Sequence, residues 1–216
     1  NGAETPIDAI YPGLAAFAQL CFREYLDQKE LEQLFEDCVG GRYEDFYQLD
    51  AFDSLFTGIG ENQSADNPSK YLLYQDPLLG IFDYHIQGVD THTYYSRLAA
   101  QISPCRETSD KYADFFAFYE TLALVLADKA DLGIRIKTAY DSRDLSTLRE
   151  ISDTVIPRIA ENLWNLRLLR EKLWMKDSKP FGYELLDIKL GGVSARLESC
   201  RRRLNAWLEQ RVSCLE

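Results

Sequence analysis

The sequence predicts an all-α fold, a helical bundle in which three long antiparallel C-terminal helices follow a more broken helical first half. Apolar residues recur three and four positions apart through most of residues 112–207, which is the period of one helix face. Short turn signals separate these runs, and helices joined by short connections pack antiparallel. No segment alternates apolar and polar residues for long enough to require a β-sheet.

The first half is divided by glycine and proline into shorter helical segments. The predicted helices cover residues 7–25, 31–39, 43–56 and 91–102, and the second of these is closed by Gly40 and Gly41. Residues 58–69 are rich in Gly, Asn, Ser and Asp, which is typical of a loop. Residues 70–86 are aromatic and are interrupted by Pro77 and Gly80.

The second half predicts helices over residues 112–140, 145–173 and 186–207, with Asp144 as the N-cap of the middle one. Pro157 has no backbone N–H to donate, so we expect a kink near Asp153, four residues earlier. Gly191 and Gly192 lie inside the third helix, where each costs about 1 kcal/mol relative to alanine. We therefore expect another backbone or ring to approach them closely.

Composition and charge exclude several classes of protein. The 216 residues carry a net charge of −11, and residues 1–100 hold only five Lys and Arg against seventeen Asp and Glu. Because phosphate binding requires clustered basic residues, this balance argues against a nucleic-acid partner. The longest uncharged run, residues 9–22, is shorter than the roughly 20 apolar residues that span a bilayer, so no membrane partner is expected.

Metal, cofactor and nucleophilic sites have no signature in the sequence. The five cysteines form no CxxC pair, and the two histidines, His85 and His92, belong to no HExxH motif. Phosphate-binding glycine loops and the GxSxG motif are also absent. We therefore predict no metal and no cofactor. Unpaired cysteines, together with a start that lacks signal-peptide features, favour a reducing compartment, the bacterial cytoplasm.

One segment, residues 67–83, combines turn residues, tyrosines and a few polar groups in a way that suits a docking surface. We name it the 67–83 segment. The alternative is an ordinary capped helix packed within the domain. The candidate docking residues, which are also candidates for the wall of a substrate cleft, are Asn67, Lys70, Tyr71, Tyr74, Gln75 and Asp76.

Four motifs in this order resemble the C-terminal helical domain of a subgroup of glycoside hydrolase family 20, the bacterial exo-acting β-N-acetylhexosaminidases. They are NPSKYLLYQDPLLG at residues 67–80, KADLGIR at 129–135, KPFG at 179–182 and LGG at 190–192. Residues 1–5 resemble the stretch after the last strand of that family's catalytic barrel. The resemblance implies that residues 1–25 end the barrel, as its last helix, and that residues 26–216 form the helical domain. The absence of an initiator Met also predicts a piece of a longer chain.

The resemblance further implies where the chemistry lies. In this family an Asp-Glu pair on the barrel acts with the 2-acetamido group of the substrate, and the Glu protonates the glycosidic oxygen. No aspartate in the chain is followed by glutamate. We therefore expect a non-catalytic accessory domain, inactive alone, of an enzyme that removes terminal GlcNAc or GalNAc.

The expected partners are the catalytic barrel of the same parent chain and a second copy of the chain, because dimerisation is a further role of such a domain. Two other functions stay open. One is a carbohydrate-binding module that uses Tyr71, Tyr74, Trp164 or Trp174. The other is a helical scaffold for a protein partner.

Overall fold

Helices make up the regular secondary structure of residues 5–55 and 67–215, the part of the chain that the computed structural model describes, and the all-α prediction is confirmed. Short 3-10 turns at Ile7–Ile10, Gln48–Asp53, Asp83–Ile86 and Asp110–Tyr112 connect several of the helices. The α-helices are α1 (Tyr11–Leu20), α2 (Gln28–Val39), α3 (Tyr43–Tyr47), α4 (Pro68–Tyr74), α5 (Thr91–Ile102), α6 (Cys105–Thr108), α7 (Ala113–Lys129), α8 (Leu132–Asp141), α9 (Leu145–Glu150), α10 (Ile156–Asp177) and α11 (Tyr183–Leu208).

Helix α7 lies at the centre, packed against α4, α5 and α10. Its buried residues face all directions, which is typical of a helix enclosed by the core rather than lying on the surface. Ion pairs at both ends show that α10 runs antiparallel to α7, since Lys172 pairs with Asp114 and Arg158 pairs with Asp128. Helix α11 packs antiparallel to α10, since Asp187 near its start pairs with Arg167, and Asn205 near its end accepts from Ser152, just before α10.

Several helix ends follow from local chemistry. The carboxylates of Asp27, Asp90 and Asp144 accept hydrogen bonds from amides in the first turns of α2, α5 and α9, so the predicted cap at Asp144 is confirmed. Gly40 ends α2 in the left-handed conformation with φ of 75°. The predicted helix over residues 91–102 is also confirmed.

The prediction of one continuous helix over residues 112–140 is wrong. The chain turns at Ala130 and Asp131, and α8 begins at Leu132. The apolar period continues across the break because both helices cover the same core. The turn directs Gly133 against the 67–83 segment, a contact that the sequence period does not encode.

The distortion expected near Asp153 is present as a wide π-helical turn at Ile151–Val155, between α9 and α10. The amide of Ile156 bonds to the carbonyl of Ile151, five residues earlier. Pro157 has no N–H to donate to the carbonyl four residues before it, so the regular α-helical hydrogen-bond pattern is interrupted here.

The prediction that another backbone or ring of the chain approaches Gly191 and Gly192 is wrong for the residues that the structure describes. Both are exposed, and a Cβ built on either would meet nothing within 4 Å. The predicted first helix also ends early, at Leu20 instead of residue 25. The predicted helix over residues 43–56 is instead α3 followed by a 3-10 turn that ends at Asp53. Most of the predicted loop at 58–69 lies outside the described residues, and its last two residues, Pro68 and Ser69, begin α4.

Candidate functional site

The 67–83 segment folds as α4 followed by a tight turn and the 3-10 turn Asp83–Ile86, which together lie against α7, α8 and α11. Of the six predicted docking residues, Asn67 and Lys70 are exposed, Tyr74 and Asp76 are half-buried, and Tyr71 and Gln75 are buried. Tyr71 packs its ring on Phe82 at 4.5 Å inside the domain. A docking role stays a prediction for the four residues that reach the surface, whereas Tyr71 and Gln75 hold the segment together from within.

A buried lysine fixes the C-terminal end of α4. The ammonium of Lys129, whose side chain is in the core, donates to the carbonyl oxygens of Leu72 at 2.9 Å and Gln75 at 2.7 Å. Desolvation lowers the pKa of Lys129 to about 8, while the carboxylates of Asp76 and Asp83 act in the opposite direction. The lysine thus takes the place of the amides that a further helical turn would supply.

The amide side chain of Gln75 connects the segment to the end of α7. Its Nε2 donates to the carbonyl oxygen of Ala130 at 3.1 Å and to Asp83 at 3.3 Å, and its Oε1 accepts from the amide of Phe82 at 3.2 Å. Buried amide groups are stable when both ends are satisfied. Gln75 therefore stabilises the segment from inside the domain and does not form part of its surface.

Asp76 joins the turn to α11. Its carboxylate accepts from the amides of Leu78 at 2.8 Å and Leu79 at 3.1 Å, and Arg196 on α11 donates to its second oxygen. Burial alone would raise the pKa of Asp76, but the bond from Arg196 and those from the two amides hold it below its usual value. The sequence shows Arg196 only as part of a basic helix surface, so this pairing was not predicted.

Gly133, the glycine of the KADLGIR motif, is where α8 meets the turn. A Cβ at this position would lie 2.8 Å from the carbonyl oxygen of Pro77 and 2.7 Å from the carboxylate of Asp83. Only glycine fits such an approach without movement of the neighbouring backbone. Close packing between two motifs thus accounts for this glycine.

Replacing Gly133 by alanine is expected to lower the free energy of unfolding by about 1–3 kcal/mol, because the added methyl overlaps the Pro77 carbonyl. The matched control is Gly13→Ala on α1, where the new methyl meets nothing within 4 Å and where alanine favours the helix. Urea denaturation of both variants checks this expectation. Equal stability of the two variants would show that the turn moves away at no cost.

A second polar cluster ties α5, α7 and α10 together. The carboxylate of Asp128, 7% exposed, accepts two hydrogen bonds from Arg158, from Nε at 2.6 Å and from the terminal nitrogen at 2.7 Å. The Nδ1 atom of His92 lies 3.0 Å from the carbonyl oxygen of Ala127 and 3.8 Å from this carboxylate. The bidentate geometry is that of a structural ion pair.

A cavity of about 850 Å³ lies between α1, α4, α7, α10 and α11. Its walls are mainly apolar and aromatic, and the Ser69 hydroxyl donates to Asp53 at 2.6 Å at its edge. The carboxylates of Asp50 and Asp53 lie on one 3-10 turn, whereas the acids of a glycosidase flank the bond from two sides. The polar side chains on its walls are Thr5, Tyr43, Tyr47, Asp50, Asp53, Asn67, Ser69, Lys70, Tyr74, Tyr119 and Arg170.

Within residues 5–55 and 67–215, no group of three or more His, Cys, Asp or Glu side chains is arranged to hold a metal ion. His85 lies among the rings of Tyr71, Phe82 and Tyr84, and is separate from His92. Among the described helices, none combines the length and the apolar composition that crossing a bilayer requires.

The aromatic residues considered for sugar binding do not form one platform. Tyr71 is buried, and Tyr74 is half-buried on α4 with the Lys189 ammonium 6.0 Å from its ring. Trp164 is 55% exposed beneath the Arg167 guanidinium, whereas Trp174, ten residues later on α10, donates to the carbonyl oxygen of Lys179 at 2.7 Å. Ten helical residues correspond to about 15 Å, so the two indoles are well separated.

Comparison with known proteins agrees with the architecture. The family model described as the glycoside hydrolase 20C C-terminal domain matches residues 44–216. No curated protein matches the chain. The match covers all four motifs and every helix from α4 to α11. The chain therefore belongs to the family of glycoside hydrolase 20C C-terminal domains.

Proposed function

We propose that this chain is the non-catalytic accessory domain of a β-N-acetylhexosaminidase that removes terminal GlcNAc or GalNAc, and that it braces the catalytic barrel of the same parent chain. Membership of the family supports this role, since the family is that of a C-terminal domain of a glycoside hydrolase. The absence of any Asp-Glu pair in the sequence supports the non-catalytic part of the proposal.

The observation that carries the docking role is the exposed apolar face of α1 and of the segment after it. Leu14, Phe17 and Leu20 are 52%, 67% and 46% exposed, and Phe22 and Tyr25 beyond them are 89% and 66% exposed. A contiguous apolar surface of this kind marks a site of contact with another body. The opposite side of α1, with Pro12 and Ala16, faces the cavity and the rest of the domain.

The position of α1 in the chain identifies the proposed contact as the barrel. Residues 1–5 resemble the stretch after the last strand of the barrel, and the family match begins only at residue 44. A helix that leads out of a barrel packs on the barrel's outer ring. We accordingly place the boundary between the barrel's end and the helical domain in the irregular segment between α1 and α2, near residues 25 and 26.

Hydrolysis of a chromogenic β-N-acetylglucosaminide tests the proposal. The 216-residue chain alone is expected to show no turnover, and the full-length parent protein is expected to be active. In the parent, Phe17→Glu and Phe22→Glu are expected to lower the temperature at which activity is lost, because each introduces a charge into the apolar contact.

The matched control is Leu145→Glu, which introduces the same charge at a 48% exposed leucine on α9. This variant is expected to retain the thermal profile of the parent. Turnover by the isolated chain would contradict the non-catalytic role, and identical thermal profiles for Phe17→Glu and Leu145→Glu would contradict the contact through α1.

We also propose that the protein works in a reducing compartment, the bacterial cytoplasm. Cys21, Cys38 and Cys214 are free cysteines with exposed thiols, and Cys105 is a free cysteine in the interior. Thiol titration of denatured protein, extracted without reductant, is expected to find five reactive groups. A count of three or fewer would indicate disulfide formation and an oxidising compartment.

A further inference from the structure

The outward side of α11 carries a second exposed apolar surface, distinct from the face of α1. Phe181, Leu185 and Ile188 are 88%, 61% and 69% exposed. Leu185 and Ile188 are three residues apart and so lie on one side of the helix, and Phe181 comes just before its N-cap, Gly182. We name this side, continued by Gly192, Ala195 and Ser199, the α11 face.

The α11 face is open because the neighbours of the helix occupy its other sides. The inward side holds buried leucines such as Leu190 and Leu197. On one flank Asp187 pairs with Arg167 of α10, and on the other Arg196 pairs with Asp76 after α4. The outward side therefore has no intramolecular partner among these elements.

The middle of the α11 face is shaped for close approach. Gly191 and Gly192 have no positive φ and nothing within 4 Å of a Cβ, so the monomer gives no reason for two glycines inside a 26-residue helix. Glycine weakens a helix interior, and a partner helix that packs on the exposed backbone would offset that cost. Ala195 is also exposed and small.

We propose that the α11 face binds a second copy of the chain, with the two α11 helices antiparallel about a two-fold axis near Gly192. Such an axis brings residues at equal distances on either side of Gly192 together. Leu185 of one copy, seven residues before Gly192, then lies level with Ser199 of the other, seven residues after it. Ile188, four residues before Gly192, lies beside Ala195, three residues after it. The large apolar residues of one half thus lie on the small residues of the opposite half.

Charge along α11 matches the same arrangement. Before Gly191 the helix carries Glu184, Asp187 and Lys189, whereas after Gly192 it carries four arginines against Glu198 alone. Glu184 and Arg202 are exposed. In the antiparallel pair, Glu184 of one copy, eight residues before Gly192, lies within one helical turn of Arg202 of the other copy, ten residues after it. A face whose two halves are complementary in shape and in charge fits its own copy better than an unrelated partner.

Sedimentation velocity of the 216-residue chain, over a range of concentrations, measures the association. The chain is expected to dimerise, and Gly192→Leu and Ile188→Glu are each expected to raise the dimer dissociation constant by at least about tenfold. The control Leu124→Glu, at a 40% exposed leucine on α7, is expected to leave the constant unchanged. Circular dichroism confirms that each variant is folded, which is expected for Gly192→Leu because the added side chain meets open space.

Charge reversal separates this interface from other occupants of the face. Glu184→Arg and Arg202→Glu are each expected to weaken the dimer, because each places two like charges side by side. The double variant is expected to restore the dimer, because the two positions again carry opposite charges. A chain that stays monomeric, a dimer that is indifferent to Gly192→Leu and Ile188→Glu, or a double variant without rescue overturns the proposal. A monomeric chain whose Ile188→Cys thiol becomes protected only in the full-length parent would make the barrel the occupant instead. The measured quantity is self-association, so failure here leaves the contact through α1 untouched.

Discussion

Replacing Phe46 by alanine is expected to lower the free energy of unfolding by about 3–5 kcal/mol, the range for removing a buried aromatic ring from a core. Phe46 is 3% exposed on α3, and its ring centroid lies 4.9 Å from that of Tyr112 and 5.2 Å from that of Phe115. Phe35 and Phe116 complete the cluster, each with its centroid 5.2 Å from that of Phe46. The ring therefore joins α2 and α3 to the central α7.

Guanidinium denaturation with tryptophan fluorescence and far-ultraviolet circular dichroism measures this loss. Because a small domain is stable by only about 5–15 kcal/mol in total, the variant is expected to approach the limit of folding at 37 °C. The control is Phe22→Ala, at an 89% exposed position, where the isolated chain is expected to lose less than about 0.5 kcal/mol. Similar losses for both variants would mean that the aromatic cluster does not carry the contact between the first half and α7.

Replacing Lys129 by methionine is expected to lower the free energy of unfolding by about 2–4 kcal/mol. Methionine fills most of the space of the lysine stem but leaves the carbonyl oxygens of Leu72 and Gln75 buried without their donor. The matched control is Lys137→Met on α8, because that ammonium is 77% exposed and its ion pair with Asp141 is at the surface. The control is expected to change stability by less than about 1 kcal/mol.

The pH dependence of stability gives this prediction a second, independent measurement. Desolvation holds the pKa of Lys129 at about 8 in the folded state, against an ordinary lysine pKa of 10.5. Between these values the unfolded chain binds more protons than the folded chain, so this residue makes the free energy of unfolding rise with pH. The expected slope is at most about 1.4 kcal/mol per pH unit, and it is absent in Lys129→Met. Parallel curves for wild type and Lys129→Met between pH 8 and 9.5 would contradict the assignment.

Measurements of this slope should stay below pH 10, because buried phenols act in the opposite direction above it. Desolvation raises the pKa of Tyr95 and of Tyr119, so the folded chain retains protons that the unfolded chain releases. Stability contributed by these two residues is present below pH 10 and is lost as the pH rises further.

The sequence was most informative where local chemistry alone decides the structure. The carboxylate of Asp144 caps its helix, Pro157 disturbs the ladder near Asp153, and residues 91–102 form one helix, all as predicted. Each of these outcomes depends on atoms within a few residues of one another. The family resemblance was likewise carried by contiguous motifs, and the family match over residues 44–216 agrees with it.

Predictions failed where distant segments meet. The break at Ala130 and Asp131 is invisible in the apolar period, because α7 and α8 cover the same core on both sides of it. Lys129, Gly133 and Arg196 hold the 67–83 segment in place, yet each makes its decisive contact with a residue more than 50 positions away. Tyr71 and Gln75, two of the six candidate docking residues, are buried, and Gln75 makes a contact of the same long-range kind with Ala130.

By itself the sequence determined the helical class, the cap at Asp144, the distortion near Asp153 and the family, because period, capping and motif order are properties of neighbouring residues. Only the tertiary structure decided which side of each helix stays open. An exposed glycine pair at Gly191 and Gly192 and an exposed face on α1 look, in the sequence, the same as buried ones. Whether a residue is buried depends on which helices pack against its own helix. Those neighbours are decided by the packing of the whole chain rather than by local propensity.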